Sequence, residues 1–253
     1  MTLDTNRTVR ELVVEMPCAT RIFEKLKIDY CCGGHKPLEE ACAAAGVDAD
    51  EVVRLLEETN QDGNQSATST DFQTLSLTEL ASYIVGQHHI FTRQELERID
   101  ALLEKVCSVH GANHPELLNL KPVFQNLRAE LEQHMLKEER VLFPYIAQME
   151  SAFDKQQPLP APPFGTVRNP VRVMTGEHDA AGECLREMRD LSSNYAVPTD
   201  VCISYQTLYT ALEALEADLH QHIHLENNIL FPRALEMENR MTQPATVDAL
   251  FAR

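Results

Sequence analysis

Tryptophan is absent from the 253 residues, and aromatic side chains make up only 6% of them. Sandwiches and barrels draw on aromatic and β-branched residues to fill their pleated faces, so this shortage argues for helices. Basic residues are also in deficit. Lys and Arg number 22 against 39 Asp and Glu, a formal balance of 22 − 39 = −17 with no basic stripe to offset it. A surface of that sign repels nucleic acid and anionic membrane, and leaves metal cations and basic protein faces as compatible partners. No uninterrupted apolar run is long enough to span a bilayer. The opening MTLDTNRTVRELVVEMP scatters acids among its apolar residues and lacks the continuous core of a signal peptide, so a cytoplasmic location is expected. Cysteine occurs seven times, but the count is odd and no CxxC pair is present, which argues against a disulfide framework or a zinc ribbon.

Residues 1–60 read as a small helical unit bearing cysteines. Thr8 caps the run RELVVEM, with Glu11 completing a capping box. Pro17 opens a second run holding Ile22, Phe23 and Leu26. A third spans Pro37 to Ala45 and stops at Gly46, and Asp48 opens a fourth holding Val52, Val53 and Leu56. The polar stretch QDGNQSATSTD, Gln61 to Asp71, has no apolar period and marks a linker over 61–74. Residues 75–239 then carry four long helical periods: Ser76–Val109, Pro115–Met149, Asn169–Ser193 and Thr199–Glu238. A proline-rich break, QQPLPAPPFG, separates the second from the third. Strand signals are missing. The simplest architecture is all-α, a four-helix bundle preceded by the small unit, with 240–253 as a frayed tail.

Two segments repeat each other: HMLKEERVLFP, His134 to Pro144, and HIHLENNILFP, His222 to Pro232. In each, a His and a Glu four residues apart project from one face of a helix. The apolar period says which face. Leu120, Phe124, Leu127, Leu131, His134, Glu138, Val141 and Tyr145 form one seam, and Leu208, Leu212, Leu215, Leu219, His222, Glu226 and Ile229 form the other. Histidine and glutamate therefore stand where a bundle wants leucine. An unpaired carboxylate is strongly disfavoured in a low-dielectric core, so two of them beside histidines call for a shared cation.

The other two helices supply one more histidine each. His89 interrupts the seam Val85, Thr92, Leu96, Ile99, Leu103, Val106, and His178 interrupts Val171, Met174, Ala181, Leu185, Met188. A single seam histidine is more often a hydrogen-bonded core residue, and an isolated H-x-x-x-E is weak. Six coordinated replacements on four seams outweigh both objections. The expected half-sites are His89/His134/Glu138 and His178/His222/Glu226, a donor set that suits two iron ions ahead of Mn, Co or Zn. His88 competes with His89, but its face continues into Glu95 and Arg98 and reads as solvated. His220 and His224 share a face with Glu213 and Glu216 and read as rim residues, while His110 and His114 read as structural at a helix junction.

Cys31 and Cys32 precede Gly33, Gly34 and the helix from Pro37. Near a helix N-terminus, beside His35 and Lys36, lowered thiol pKa values are expected. Adjacent Cα atoms lie about 3.8 Å apart, below the usual disulfide range of about 4.4–6.8 Å, so a bond between the two would be strained and easily reduced. The pair reads as a redox or iron-handling element, against the plainer alternative of two small residues in a tight turn. Cys18, Cys42, Cys107, Cys184 and Cys202 read as small buried helix residues.

DYCCGGHKPLEEA, QHHIFTRQEL, HMLKEERVLFP, GEHDAAGE and HIHLENNILFP together resemble the hemerythrin-like proteins, and among them the repair-of-iron-centres family (the ScdA type), over nearly the whole chain. One departure is the proline-rich insert before the third helix. The resemblance implies a hemerythrin-like bundle with His89, His134, Glu138, His178, His222 and Glu226 as ligands to two non-haem irons. The glutamates would bridge, together with an oxo or hydroxo group. Two histidines per metal would then leave open positions for nitric oxide, dioxygen or water. Glu130 and Glu177 match acids that flank the site in the family, though a solvated acid is an equal reading. The implied role is repair of iron–sulfur clusters damaged by nitrosative or oxidative stress, through donation of iron. Partners would be damaged or apo iron–sulfur proteins, with no nucleic acid or membrane, and a homodimer stays open. Nitric oxide reduction or peroxidase activity at the same centre, or oxygen or nitric oxide sensing, are the alternatives.

Overall fold

The structure, a computed structural model, describes residues 3–31, 33–62, 71–159 and 161–242. Cys32, the centre of the expected linker and the tail beyond Thr242 lie outside the described residues. Four short helices come first: α1 (Val9–Glu15), α2 (Ala19–Leu26), α3 (Leu38–Ala45) and α4 (Ala49–Asp62). The capping box at α1 is present, with Thr8 Oγ1 accepting from the Glu11 amide at 3.2 Å and Glu11 Oε2 accepting from the Thr8 amide at 2.9 Å. Gly46 ends α3 at φ 71°, a left-handed position that a Cβ would strain. Leu12, Phe23, Tyr30, Leu38 and Leu56 are fully buried in the apolar cluster these helices share.

Four rods follow. The first is α5 (Leu77–Ile84), a π-turn (Val85–His89) and α6 (Ile90–His110). The second is α7 (Glu116–Lys137), a π-turn (Glu138–Leu142) and α8 (Phe143–Asp154). The third is α9 (Arg168–Leu191) alone. The fourth is α10 (Ile203–His224), a π-turn (Leu225–Leu230) and α11 (Phe231–Thr242). Laterally, α6 packs on α10 and on α7, α7 on α9, and α8 on α5 and α11. No strand occurs among the described residues, as the sequence leads one to expect of a helical bundle.

Proline accounts for two of the π-turns. The Phe143 amide reaches back five residues to the Glu138 carbonyl, and the Phe231 amide does the same to Glu226. Pro144 and Pro232 come next, with no N–H to give and a ring that crowds the preceding turn, and a widened turn accommodates both defects. The extra residue shifts the seam by one. Val141, expected in the core, is 45% exposed, and Leu142 takes its place at 1%. Ile84 likewise replaces Val85.

The repeat extends further than the two matched segments. Twelve residues beyond Glu138 and Glu226 stand Glu150 and Glu238, both buried. Glu150 accepts from the Leu77 amide at 2.6 Å and from the Thr78 amide and hydroxyl at 2.8 and 2.6 Å, capping the first rod. Glu238 accepts from the Val167 amide at 2.7 Å and from the Thr166 hydroxyl, capping the third. Each copy thus closes its partner helix with a carboxylate at the positive end of the helix dipole.

The N-terminal unit lies on the fourth rod. Gln221 Nε2 donates to Glu24 Oε1 at 2.7 Å and to Tyr30 Oη at 2.9 Å, Asn228 Nδ2 donates to the Tyr30 carbonyl at 2.9 Å, and Lys27 reaches Asn194 at 2.8 Å. His220 and His224 stand edge-on to the Tyr30 ring, 6.3 and 5.6 Å between centroids. The rim reading of these histidines is corrected here. His224 is buried, His220 is half-buried, and Glu216 is buried against Arg189 at 2.5 Å, because the face that bundle periodicity leaves to solvent is covered by the N-terminal unit.

Two outcomes are expected. Glu150→Ala strips three hydrogen bonds from a buried helix start and should cost about 2 kcal/mol or more, lowering the thermal midpoint by roughly 4–8 °C. A change under one degree would show that the cap contributes nothing. Burial, with Arg10 nearby, pushes His224 down to about 4 from its ordinary 6.5. An unfolded chain then binds this proton first, so stability falls as pH drops from about 6.5 toward 4. Thermal midpoints measured across that window should fall less steeply in His224→Gln.

Candidate metal centre

His89, His134, Glu138, His178, His222 and Glu226 all turn inward and meet at one level of the bundle, each at most 3% exposed. Below them lies an apolar layer including Ile84, Leu142, Met174 and Ile229, and above them one including Leu96, Leu131, Leu185 and Leu219. The donor atoms fall into two groups that share both glutamates: His89 with His222, and His134 with His178. The expected half-sites paired His89 with His134 and His178 with His222, and this is corrected. The pairing follows lateral packing, α6 on α10 and α7 on α9, rather than chain order.

Within each group the two imidazole Nε2 atoms are 3.2 Å (His89–His222) and 3.0 Å (His134–His178) apart. Two cis ligands at about 2.1 Å from one metal would be separated by about 3 Å. Glu138 Oε2 lies 3.4 Å from His89 Nε2 and 3.3 Å from His134 Nε2, and so spans the groups. Glu226 spans them from the other side, Oε1 at 3.1 Å from His222 and Oε2 at 3.0 Å from His178. Both Glu138 oxygens and Glu226 Oε2 are buried without a hydrogen bond among the described residues. Buried acceptors of this kind are costly unless something else claims their lone pairs. The donor set, its spacing and its orphaned oxygens fit a pair of metal ions.

The electrostatics agree. Burial and Glu226 push Glu138 up, but His134 and His89 win and hold it below its ordinary value. Burial also works against the Glu226 anion, yet His222 and His178 hold that carboxyl well down. Burial alone would lower His134, but Glu138, Glu177 and Glu226 raise it to about 10. His222 is raised against burial in the same way by Glu226 and Glu138. Two fixed anions surrounded by bases that seek protons form a cation site, and metal displaces those protons.

The outward nitrogens matter as well. His89 Nδ1 donates to Glu139 at 2.7 Å, His134 Nδ1 to Glu177 at 2.8 Å and His178 Nδ1 to the Asn227 carboxamide oxygen at 2.9 Å. Such contacts orient an imidazole and raise its basicity. The hydrogen bond from His134, with help from Lys137, overcomes burial and holds Glu177 down at about 2.

Residues 80–234 match the Hemerythrin family, described as "Hemerythrin HHE cation binding domain". Residues 5–60 match ScdA_N, described as "Domain of Unknown function (DUF542)". The "Iron-sulfur cluster repair protein YtfE" of Edwardsiella ictaluri is 36% identical over 230 residues, covering 91% of this chain and 97% of that protein. A "Probable iron-sulfur cluster repair protein" of Haemophilus influenzae is 34% identical over 225 residues, 89% of this chain and 95% of that one. The YtfE protein of Yersinia pseudotuberculosis is 34% identical over 233 residues, 92% and 98% of the two. The chain belongs to this family of hemerythrin-type iron–sulfur cluster repair proteins.

Against the remaining site expectations the structure is mixed. Glu177 flanks the centre as described. Glu130 does not: it is exposed and takes a 3.3 Å hydrogen bond from Asn126 on the bundle surface. Cys31 is buried, and its thiol donates to Asp29 Oδ1 at 3.4 Å. His35 is exposed and Lys36 pairs loosely with Glu40 at 3.7 Å. Cys31 also lines a cavity of about 330 Å³ between the N-terminal unit and the bundle, with Lys27, Arg186, Arg189 and Glu213 in its wall. Cys18, Cys42, Cys107, Cys184 and Cys202 carry free thiols. Cys202 is not a buried helix residue: it is exposed at the start of α10, and His110 at 3.1 Å brings its thiol down to about 7.

Sequence reasoning missed Glu139, Asn227 and His88. The signal was the repeat register. Glu139 and Asn227 each follow the glutamate of their copy and each serves the histidine of the preceding rod. His88 stands one residue before His89 as Glu177 stands before His178, yet it is buried and stacks on His222 at 5.7 Å, with Asp218 at 2.9 Å from its Nδ1.

Removing one of the orienting acids, by Glu139→Gln or Glu177→Gln, should weaken metal binding by roughly 10–100-fold while leaving two equivalents bound at saturation. Glu138→Ala or Glu226→Ala removes an oxygen donor from both groups at once and should abolish tight binding of either metal in equilibrium dialysis. Retention of two tight equivalents would refute bridging.

Proposed function

We propose that this chain repairs damaged iron–sulfur clusters by giving up iron from a two-iron centre held by His89, His134, His178, His222, Glu138 and Glu226. The observation that carries the reading is the shared pair of buried glutamates, with three oxygens left without hydrogen bonds, set among four imidazole nitrogens. Nitrogen and oxygen donors of that number suit iron, and the relatives named as cluster repair proteins supply the process. When bound, the irons supply redox chemistry and a transferable cation.

The chain's own residues do the rest. Two histidines and two shared carboxylates would offer each metal four protein residues as ligands, His89 with His222 and His134 with His178 beside Glu138 and Glu226. The apolar layers above and below exclude bulk water from that level of the bundle. Glu139 and Glu177 fix the rotation of His89 and His134 and keep their Nε2 atoms aimed inward. The Cys31 backbone is docked on the π-turn that carries Glu226, so the cysteine-bearing segment adjoins the centre rather than the far end of the bundle. That adjacency favours donation to a client over reduction of nitric oxide or peroxide for its own sake.

Protein purified without oxygen should contain two irons by metal analysis, with a Mössbauer spectrum of a coupled non-haem pair. Mixed with an apo iron–sulfur protein and sulfide, it should lose iron as the cluster forms, and Glu138→Ala should not support the transfer. Many turnovers of nitric oxide with added electrons, and no loss of iron to the acceptor, would replace the donor reading with a reductase.

A further inference from the structure

The two copies of the repeated segment differ at the pair of residues after the glutamate: Glu139-Arg140 in one, Asn227-Asn228 in the other. Glu139 Oε1 accepts from His89 Nδ1 at 2.7 Å and from Arg93 Nη2 at 2.8 Å, so its one acceptor atom serves both. Asn227 holds the matching position toward His178, with Oδ1 accepting from Nδ1 at 2.9 Å. For orienting an imidazole alone, the carboxylate is the stronger acceptor. A carboxamide offers something a carboxylate lacks, which is a donor on the other arm.

That donor is used. Asn227 Nδ2 donates to the carbonyl of Cys31 at 3.3 Å. Its neighbour Asn228 donates through Nδ2 to the carbonyl of Tyr30 at 2.9 Å. Two successive carbonyls of the cysteine-bearing segment are thus held by two successive amides of the π-turn, on the side of the bundle that the N-terminal unit covers. On the uncovered side the same register carries charged residues facing solvent.

We propose that Asn227 is a positioning residue that couples the cysteine-bearing segment to the metal centre, holding the His178 imidazole through Oδ1 and the Cys31 carbonyl through Nδ2. The inference rests on the metal reading of His178. With His178 Nε2 committed to a metal, the imidazole plane would be fixed, and Asn227 would carry that restraint to the Cys31 backbone. The coupling is reciprocal by linkage: whatever displaces the Cys31 backbone must loosen the His178 orientation by the same factor. Asp at this position would keep the acceptor and set an anion against the Cys31 carbonyl, which breaks the link while leaving His178 served.

Hydrogen exchange of the peptide covering residues 29–34, followed by mass spectrometry in the full chain with and without anaerobic ferrous iron, tests this. Iron should slow exchange there by roughly 3- to 10-fold, the worth of one hydrogen bond. Asn227→Asp should still load two irons, and the iron-dependent slowing should vanish. Asn228→Ala is the control for a merely structural contact: exchange should rise with and without iron, and the ratio between the two should survive. Iron binding with no change in exchange overturns the coupling, as does an Asn227→Asp protein that responds like the parent. If Asn227→Asp fails to fold or to load, the parent's own ratio still decides. A parent chain that binds no iron fails differently, in the stoichiometry, and removes the metal reading together with this inference.

Discussion

Glu138 and Glu226 have no accessible surface and lie between two apolar layers, and a carboxylate in that position is tolerable only beside positive charge. The surrounding arrangement follows from that constraint. Four histidines replace apolar residues on four seams to face the two anions. Three of them are backed by Glu139, Glu177 or Asn227, so that the ring nitrogen nearest the carboxylates is held in place. The cost of the polar layer is contained because leucine, isoleucine and methionine close it from both sides. Destabilisation is confined to one level of the bundle, and the rods on either side remain ordinary packed helices.

Duplication supplies the geometry cheaply in information. One helical segment with His, Glu, a π-turn before Pro and a distant capping glutamate, used twice, builds two-fold related walls. Glu150 and Glu238 show that the relation extends to the helix ends, each closing the rod that brings a histidine to the site. A capped, rigid start matters because His89 and His178 lie well inside their rods, and a frayed first turn would blur their aim. The copies part company only where their surroundings do: Glu-Arg faces solvent, Asn-Asn faces a docked polypeptide.

How much of this could be read from sequence divides along physical lines. Leucine periodicity interrupted by His89, His134, Glu138, His178, His222 and Glu226 locates all six residues that the structure brings together, because burial of a polar group is a local and strong departure from pattern. Helix starts at Thr8 and Ser76 are equally visible, since capping boxes are written in four residues. The pairing of histidines is not visible, because it depends on which rods touch sideways, and nothing along one chain encodes that. Val141 misleads because a straight 3.6-residue period does not include the residue a π-turn adds. His88, His224 and Glu216 mislead because a helix face reads as solvated until another part of the protein covers it. Cys202 misleads in the opposite direction, since its partner His110 is 92 residues away in sequence.

The charge balance at the centre also offers the folded chain an alternative to bound metal. Protons and cations compete for the same atoms. With carboxylates held anionic and His134 raised to about 10, the donors are able to take protons in place of metal at neutral pH. Protons on His134 and His222 could stand in for a cation, so the two buried anions need not be left alone in a low-dielectric layer. A site built of carboxylates without basic neighbours would have to protonate the carboxylates themselves. Here the imidazoles of His134 and His222 take that role, so the carboxylates stay anionic whether protons or metal sit beside them.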